Sequence, residues 1–191
     1  LTERKHELEE AFLTKKILSR AQKIFVNSNA TQQRVLDIGL HEEKTYILYP
    51  ALSQNVFLPS TKREVKKEEK IIFLTIARLV KRKGILFILS ALGKLKRENI
   101  LKDFQYIIIG NGPEKETILQ KIKDENLQNE VLLRENAVDE EKWNWLSRTQ
   151  IFLLTPYEPL LKNGSKDYEG FGIVYLEAQA FGVPIIASNT G

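Results

Sequence analysis

Phe104-Gln-Tyr-Ile-Ile-Ile109-Gly110-Asn111-Gly112-Pro113-Glu114-Lys-Glu116-Thr-Ile118-Leu119-Gln-Lys-Ile122 is the stretch that decides the fold class. A short apolar run, Phe104 to Ile109, reads as a buried strand. Pro113 then suits the opening of a helix, where a missing N–H costs nothing. Glu114 and Glu116 fall in its first turn, where the helix dipole favours anions. Ile118, Leu119 and Ile122 supply one apolar face. The same strand-then-helix unit recurs on both sides. Ile71–Ile76 precedes a helix over Gly84 to Arg97, with Ile85, Ile88, Leu89, Leu92 and Leu95 on one stripe. Val131–Leu133 precedes a helix that Asp139 can cap and that carries Trp143 and Leu146. Ile151–Leu154 precedes a helix from about Gly172 to Phe181, stopped by Gly182 and Pro184. A fifth strand follows, Ile185–Ala187. Strands this apolar, alternating with amphipathic helices, predict an α/β fold: a parallel sheet with helices on both faces.

Residues 1–50 have a different texture. A charged helix is expected from Thr2 to about Arg20, a strand from Lys23 to Val26, a helix from Ala30 to Asp37 and a strand from Tyr46 to Leu48. Residues 51–70, polar and of mixed charge, read as a linker to the unit over 71–191. The other reading is one continuous domain with a long surface loop.

Composition narrows the classes. The 191 residues are 42% hydrophobic and 28% charged, which suits a globular protein with a real core. The absence of cysteine excludes disulfides and thiolate metal sites, and a cytoplasmic setting is the simplest expectation. Net charge is +4 and dispersed, too mild to argue for nucleic acid. It is compatible with an anionic ligand or a peripheral contact at the cytoplasmic membrane face. No apolar run approaches the ~20 residues needed to span a bilayer. The chain starts at Leu1 and holds no methionine, so a piece of a longer protein is expected.

Open α/β sheets bind ligands beyond the carboxyl ends of their strands. Arg78 and Lys83 flank the turn after the first strand of the sheet, where a guanidinium fork and an ammonium would suit a diphosphate. A solvated basic turn is the alternative. Gly110 and Gly112 permit either close approach to a ligand or a plain tight turn. They do not make the G-x-G-x-x-G fingerprint of nicotinamide cofactors. Gly170 and Gly172 open a helix whose free N–H groups can hold phosphate oxygens. Glu177 stands in the otherwise apolar run Ile173, Val174, Leu176, Ala178, Ala180, Phe181. A carboxylate there needs hydrogen-bond donors, such as vicinal sugar hydroxyls, or a solvent-facing side. His6 and His41 lie in polar segments and are not catalytic candidates.

Glu169-Gly-Phe-Gly-Ile-Val-Tyr-Leu-Glu177-Ala, followed by Phe181-Gly-Val-Pro-Ile-Ile-Ala187, resembles the E-x7-E signature of retaining glycosyltransferases of family 4. Arg78-Leu-x-x-x-Lys83-Gly84 resembles that family's diphosphate-binding turn, and Ile109-Gly-Asn-Gly-Pro113 its next turn. Ser19-Arg-Ala-x-Lys-Ile-Phe-Val-x-Ser28 is similar to the last βα unit of its acceptor domain. Leu48-Tyr-Pro-Ala and Phe57-x-Pro59 are similar to its interdomain linker. The resemblance implies a GT-B architecture of two Rossmann-like domains. This chain would be the donor-binding C-terminal domain, incomplete at its end, with a βα remnant of the acceptor domain before it.

By the same resemblance, Arg78, Lys83 and Glu169 would be catalytic. Arg78 and Lys83 would hold the donor diphosphate, and Glu169 the donor sugar. Gly110, Gly112, Gly170, Phe171, Gly172, Ile173 and Glu177 would complete the donor site, with Glu177 on the ribose. It implies sugar transfer from a nucleotide-diphosphate sugar to a glycan or lipid-linked acceptor, with retention and with no metal or other cofactor. A chain lacking the acceptor half would bind the nucleotide and transfer nothing. Alternatives are a non-catalytic nucleotide-binding module or a GT-B sugar-nucleotide epimerase; a phosphorylase would need a pyridoxal-phosphate lysine, and none is identifiable. The sequence departs from the family at Ala77, in the glycine-free turn Arg134-Glu135-Asn136-Ala137-Val138, and in a longer loop over 157–168.

Overall fold

A computed structural model describes residues 13–52, 70–159 and 169–189 of the protein. Most of the expected linker and of the loop over 157–168 lies outside the described residues, as does the start of the helix expected from Thr2. The described residues divide into two compact units: 13–51 with 158–159 and 169–171, and 52 with 70–157 and 172–189.

The larger unit is a five-stranded, all-parallel sheet. Its strands are β3 (Ile71–Ile76), β4 (Phe104–Ile109), β5 (Val131–Arg134), β6 (Ile151–Leu154) and β7 (Ile185–Ala187), in the order β5-β4-β3-β6-β7. The helices between them are α3 (Ile85–Arg97), α4 (Lys115–Asp124), α5 (Asp139–Arg148) and α6 (Ile173–Ala180). Successive strand side chains point to opposite faces. So Phe73, Phe104, Tyr106, Ile108 and Leu153 meet Ile88, Leu89, Leu92, Ile118 and Ile122 from α3 and α4. Ile72, Leu74, Ile76, Ile107, Ile109, Phe152 and Leu154 pack on the other face against Leu146 of α5 and Ala178 of α6. This double coverage is why the strands are apolar at almost every position. Each fully buried Leu, Ile or Phe contributes about 1.5–3 kcal/mol. One polar pair sits inside: Thr75 Oγ1 and Tyr106 Oη are 2.7 Å apart, and Thr75 Oγ1 also donates to the Leu153 carbonyl.

The smaller unit holds α1 (13–19), β1 (Ile24–Val26), α2 (Asn29–Asp37) and β2 (Thr45–Ile47). β1 and β2 pair in parallel. Ile24, Val26 and Leu40 form its core. Ser28 caps α2, accepting from the Thr31 N–H at 3.1 Å.

The elements match the expected ones, with shifted ends. α4 begins at Lys115 with Glu114 as its N-cap, so Pro113 lies in the preceding turn and not at the first helical position. The backbone there is used otherwise: Glu114 N–H donates to Leu79 O and Lys115 N–H to Gly112 O. Asp139 is the first residue of α5 and the cap position belongs to Val138. The Asp139 carboxylate instead pairs with Lys142 one turn on, at 2.5 Å.

Candidate functional site

The carboxyl ends of β3 and β4 are locked together by their following turns. Ala77 N–H donates to Ile109 O, Leu79 N–H to Asn111 O, and Glu114 N–H to Leu79 O, all at 2.9–3.0 Å. Gly110 and Gly112 are required by this packing. A β-carbon on Gly110 would overlap the Ala77 carbonyl oxygen, and one on Gly112 the Leu79 carbonyl oxygen. The close approach anticipated for a ligand is therefore made by the chain's own backbone.

Above this junction lies a cavity of about 400 Å³, within the usual range for small-molecule sites. Its wall includes Arg78, Gly110, Asn111, Asn136, Lys142 and Val174. Two cations and no carboxylate are among its described lining residues; Lys142 is paired with Asp139 at 2.5 Å, so Arg78 is the charge that the wall offers to an anion. Arg78 is exposed, while Lys83, five residues on, is 8% exposed and is not among the lining residues. The basic turn thus presents one of its two candidate cations to the cavity and buries the other at the end of a 3-10 turn over Lys81–Lys83. A second space of about 380 Å³, beside Lys81, Phe87, Glu114 and Tyr157, carries charge of both signs.

α6 brings its first turn to the same cavity through Val174. Gly172 caps it in the left-handed conformation, φ +79°. A β-carbon there would stand 2.6 Å from the Tyr175 ring, whose hydroxyl donates to Leu154 O at 3.1 Å. Ile173 is 41% exposed. Glu177 is half-buried, and burial raises its carboxyl above the usual carboxylate range. Lys142 pulls it down and Asp139 pushes it up. Among the predicted residues, then, Arg78 and Gly110 share the cavity; Gly112 sits under the neighbouring turn; Gly172, Ile173 and Glu177 belong to the helix that reaches it. Glu169, Gly170 and Phe171 pack in the smaller unit. There Gly170 lies beside Asn27 and the Phe171 ring is 6.2 Å from that of Tyr49.

Sequence reasoning missed Lys142 and Asn136. A lysine on an amphipathic helix looks like solvation, and only the Asp139–Lys142 spacing hints that it is held. Asn136 has φ +53°, a region that asparagine enters more readily than other side chains. It therefore takes the place of the glycine missed in that turn.

Among the described residues no group of three or more His, Asp or Glu is arranged to hold a metal, and no helix is long and apolar enough to cross a membrane.

A parallel sheet covered by helices on both faces, with a cavity at its carboxyl rim, defines a doubly wound type of α/β protein. The model of the family described as glycosyl transferases group 1 matches residues 59–191, and the chain belongs to that family. It is 30% identical over 151 residues to a GDP-mannose-dependent alpha-(1-6)-phosphatidylinositol monomannoside mannosyltransferase of Mycolicibacterium smegmatis, covering 75% of this chain and 38% of that protein. It is 29% identical over 155 residues to the O-antigen biosynthesis glycosyltransferase WclY of Escherichia coli, covering 78% and 39%. The chain therefore spans about two-fifths of the length of these relatives. The Anabaena protein Alr3699/HepE, solved in complex with UDP-glucose, superposes with a TM-score of 0.77 at 20% identity, covering 95% of this chain and 49% of that one. The fold is that of the GT-B glycosyltransferases.

Proposed function

We propose that this chain supplies the donor site of an enzyme that transfers a sugar from a nucleotide-diphosphate sugar to a glycan or lipid-linked acceptor, with retention of anomeric configuration. The observation that carries the reading is the cavity joining Arg78 and Lys142 at the sheet rim beside the first turn of α6. Its charge suits a diphosphate, and its family membership fits a sugar nucleotide.

The chemistry needs charge stabilisation above all. When the bond between the anomeric carbon and the phosphate oxygen breaks, the electron pair leaves on the diphosphate. Cations and N–H groups already aimed at that oxygen lower the barrier without reorganising. Arg78 at the cavity wall is assigned that role, with Lys83, buried within the same turn, as the second charge behind it, and with the free N–H groups of Gly172 and Ile173 at the start of α6. Glu177 accepts from the ribose hydroxyls, and Glu169 from the sugar hydroxyls. Gly170 and Phe171 present the adjoining backbone, and Gly110 and Gly112 shape the floor. These assignments give the metal no role, so turnover in the intact enzyme should withstand EDTA. The expected location is the cytoplasm or the cytoplasmic membrane face.

A thermal-shift panel of UDP, GDP and ADP, with their sugar conjugates, tests the reading. At least one diphosphate should raise the Tm of this chain, and Glu177→Ala should remove most of the rise. Failure of all three to shift the wild-type chain would end the donor-site assignment.

A further inference from the structure

A groove runs between α3 and α4 of the larger unit. Two spaces, of about 380 and 340 Å³, share Leu86, Phe87 and Thr117 and so form one trough. Glu114 lies at one end and Asp124 at the other, about 15 Å apart along the helix axis. Among the described residues, none that lines the groove also lines the cavity holding Arg78.

The apolar part of the groove centres on two rings. Phe87 is 60% exposed, and its ring meets that of Tyr157 edge-on, at 5.2 Å and 73°. Backbone bonds fix both residues. Phe87 N–H donates to Gly84 O at 3.0 Å, and Tyr157 N–H to Arg82 O at 2.9 Å. A platform held in this way loses little freedom when a ligand settles on it.

The rest of the wall is polar. Gln120 Nε2 donates to Asp124 Oδ1 at 2.8 Å, which sets an amide and a carboxylate side by side. Together they offer donors and acceptors, the pattern that neighbouring hydroxyls can match. Charge decides the sign of the ligand. Lys81 and Lys121 stand against Glu114 and Asp124, and Lys121 is already held by Glu125 at 2.8 Å. The balance favours a neutral ligand over an ion of either sign. An acyl chain fits poorly, because it would cover these polar groups without bonding them. A short oligosaccharide meets every condition: its C–H faces cover the rings and its hydroxyls reach the rim.

We propose that the groove between α3 and α4 is a second carbohydrate site, which holds a neutral oligosaccharide without acting on it. The proposal goes beyond the donor reading and does not depend on it, since the two sites share no lining residue. Lys81, at the mouth of the groove, belongs to the same turn as Arg78. A glycan anchored there stays beside the donor rim at raised local concentration.

The test is an NMR titration of the full chain with maltotriose and with an α-linked mannotriose. At least one of them should shift the amides of residues 86–90 and 117–121. Those of residues 78, 110 and 136 should stay in place, and saturating UDP or GDP should not displace the sugar. Phe87→Ala should weaken the trisaccharide by about tenfold, the worth of a largely covered ring. Thr117→Arg, at an exposed position of α4, should block the trough and abolish binding. It also decides the matter if Phe87→Ala does not fold. Both variants should keep the Tm rise that a diphosphate gives the wild-type chain. The proposal is overturned if neither trisaccharide binds, if UDP or GDP displaces it, or if both variants bind it as the wild-type chain does. Shifts of the same amides by an amphipathic peptide or by phosphatidylglycerol vesicles, with none by the sugars, would give the groove another occupant and overturn it too. A chain that binds trisaccharide in the groove but no diphosphate ends the donor reading and leaves this one standing; the reverse result ends only this one.

Discussion

The carbonyl oxygen of Ala77 occupies the place that a β-carbon on Gly110 would need. The turn after β3 and the turn after β4 therefore form one layer, with Arg78 projecting from it at the cavity wall. The obstacle is backbone, fixed by the bond from Ala77 N–H to Ile109 O at 3.0 Å, so it has little room to give.

Gly110→Ala is expected to destabilise the chain by about 3 kcal/mol or more, in the upper range for single substitutions. Gly112→Ala, facing the Leu79 carbonyl oxygen, should do the same. Urea unfolding without ligand is the measurement. Full stability in both, with loss of nucleotide binding only, would mean that these glycines serve the ligand and not the turn.

Thr75→Val should cost about 2 kcal/mol, because it strands the buried Tyr106 hydroxyl and the Leu153 carbonyl in the core. Burial already pushes the Tyr106 phenol well above its ordinary value, with the Thr75 hydrogen bond pulling the other way. Adding Tyr106→Phe to Thr75→Val should recover part of the loss. Additive losses in the double variant would show that the two hydroxyls are not coupled.

The residues that could be read in advance are those whose pattern has one physical solution. Ile72, Leu74 and Ile76 alternate with Phe73, and both sets are buried, so β3 had to be a central strand. The order β5-β4-β3-β6-β7 was not legible, since nothing in one strand names its neighbour. Helix starts were misjudged where tertiary bonds override local preference. Leu79 O takes the Glu114 N–H, which delays α4 past Pro113, and Asp139 spends its carboxylate on Lys142 instead of on a cap. Of the candidate site, Arg78 and the glycines stood out because a cation or a glycine in a rim turn needs a reason. Lys142 needed none, and only the fold brings it to the cavity.

The Glu125 carboxylate predicts an acid limb in stability. It bonds Lys121 at 2.8 Å and Arg97 at 2.5 Å, and these two, Lys121 first, pull its pKa down to about 2. An unfolded glutamate titrates near about 4.3. The folded value is lower, so the contribution is complete above the unfolded pKa and is lost as pH falls through the folded one. Between pH ~4.5 and ~2 the urea midpoint of the wild-type chain should fall, and Glu125→Gln should flatten that limb while lowering stability at pH 7. An identical acid limb in Glu125→Gln would assign the effect elsewhere. Salt should shrink it, because the Arg97 side chain is 58% exposed.

Cations at the rim should separate into binding and turnover. Lys83→Ala in the intact enzyme is expected to lower kcat by about 10²–10³, the usual cost of one lost charge-stabilising donor. Lys142→Met, which empties one cation from the cavity wall, should weaken the diphosphate by about tenfold, the worth of one charged hydrogen bond. Steady-state kinetics with a defined acceptor measures the first and calorimetry the second. Near-normal kcat for Lys83→Ala would return that lysine to a purely structural place.

Glu177 should show a trade between stability and binding. Its carboxyl is raised by burial, against the opposing pull of Lys142. A folded pKa above the unfolded one means that the favourable contribution is complete below the unfolded value and disappears as pH rises through the folded value. Once ionised, the carboxylate is thus a cost in the empty protein. Glu177→Gln keeps the shape and removes the charge, so it should raise Tm at pH 7 by more than at pH 4. The same variant should weaken nucleoside diphosphate by about tenfold at pH 7, since a carboxylate accepts from paired ribose hydroxyls more strongly than an amide does. Thermal melts across pH, with and without the diphosphate, read both effects in one series. A variant that is more stable yet binds equally well would leave the buried charge without a ligand to account for it.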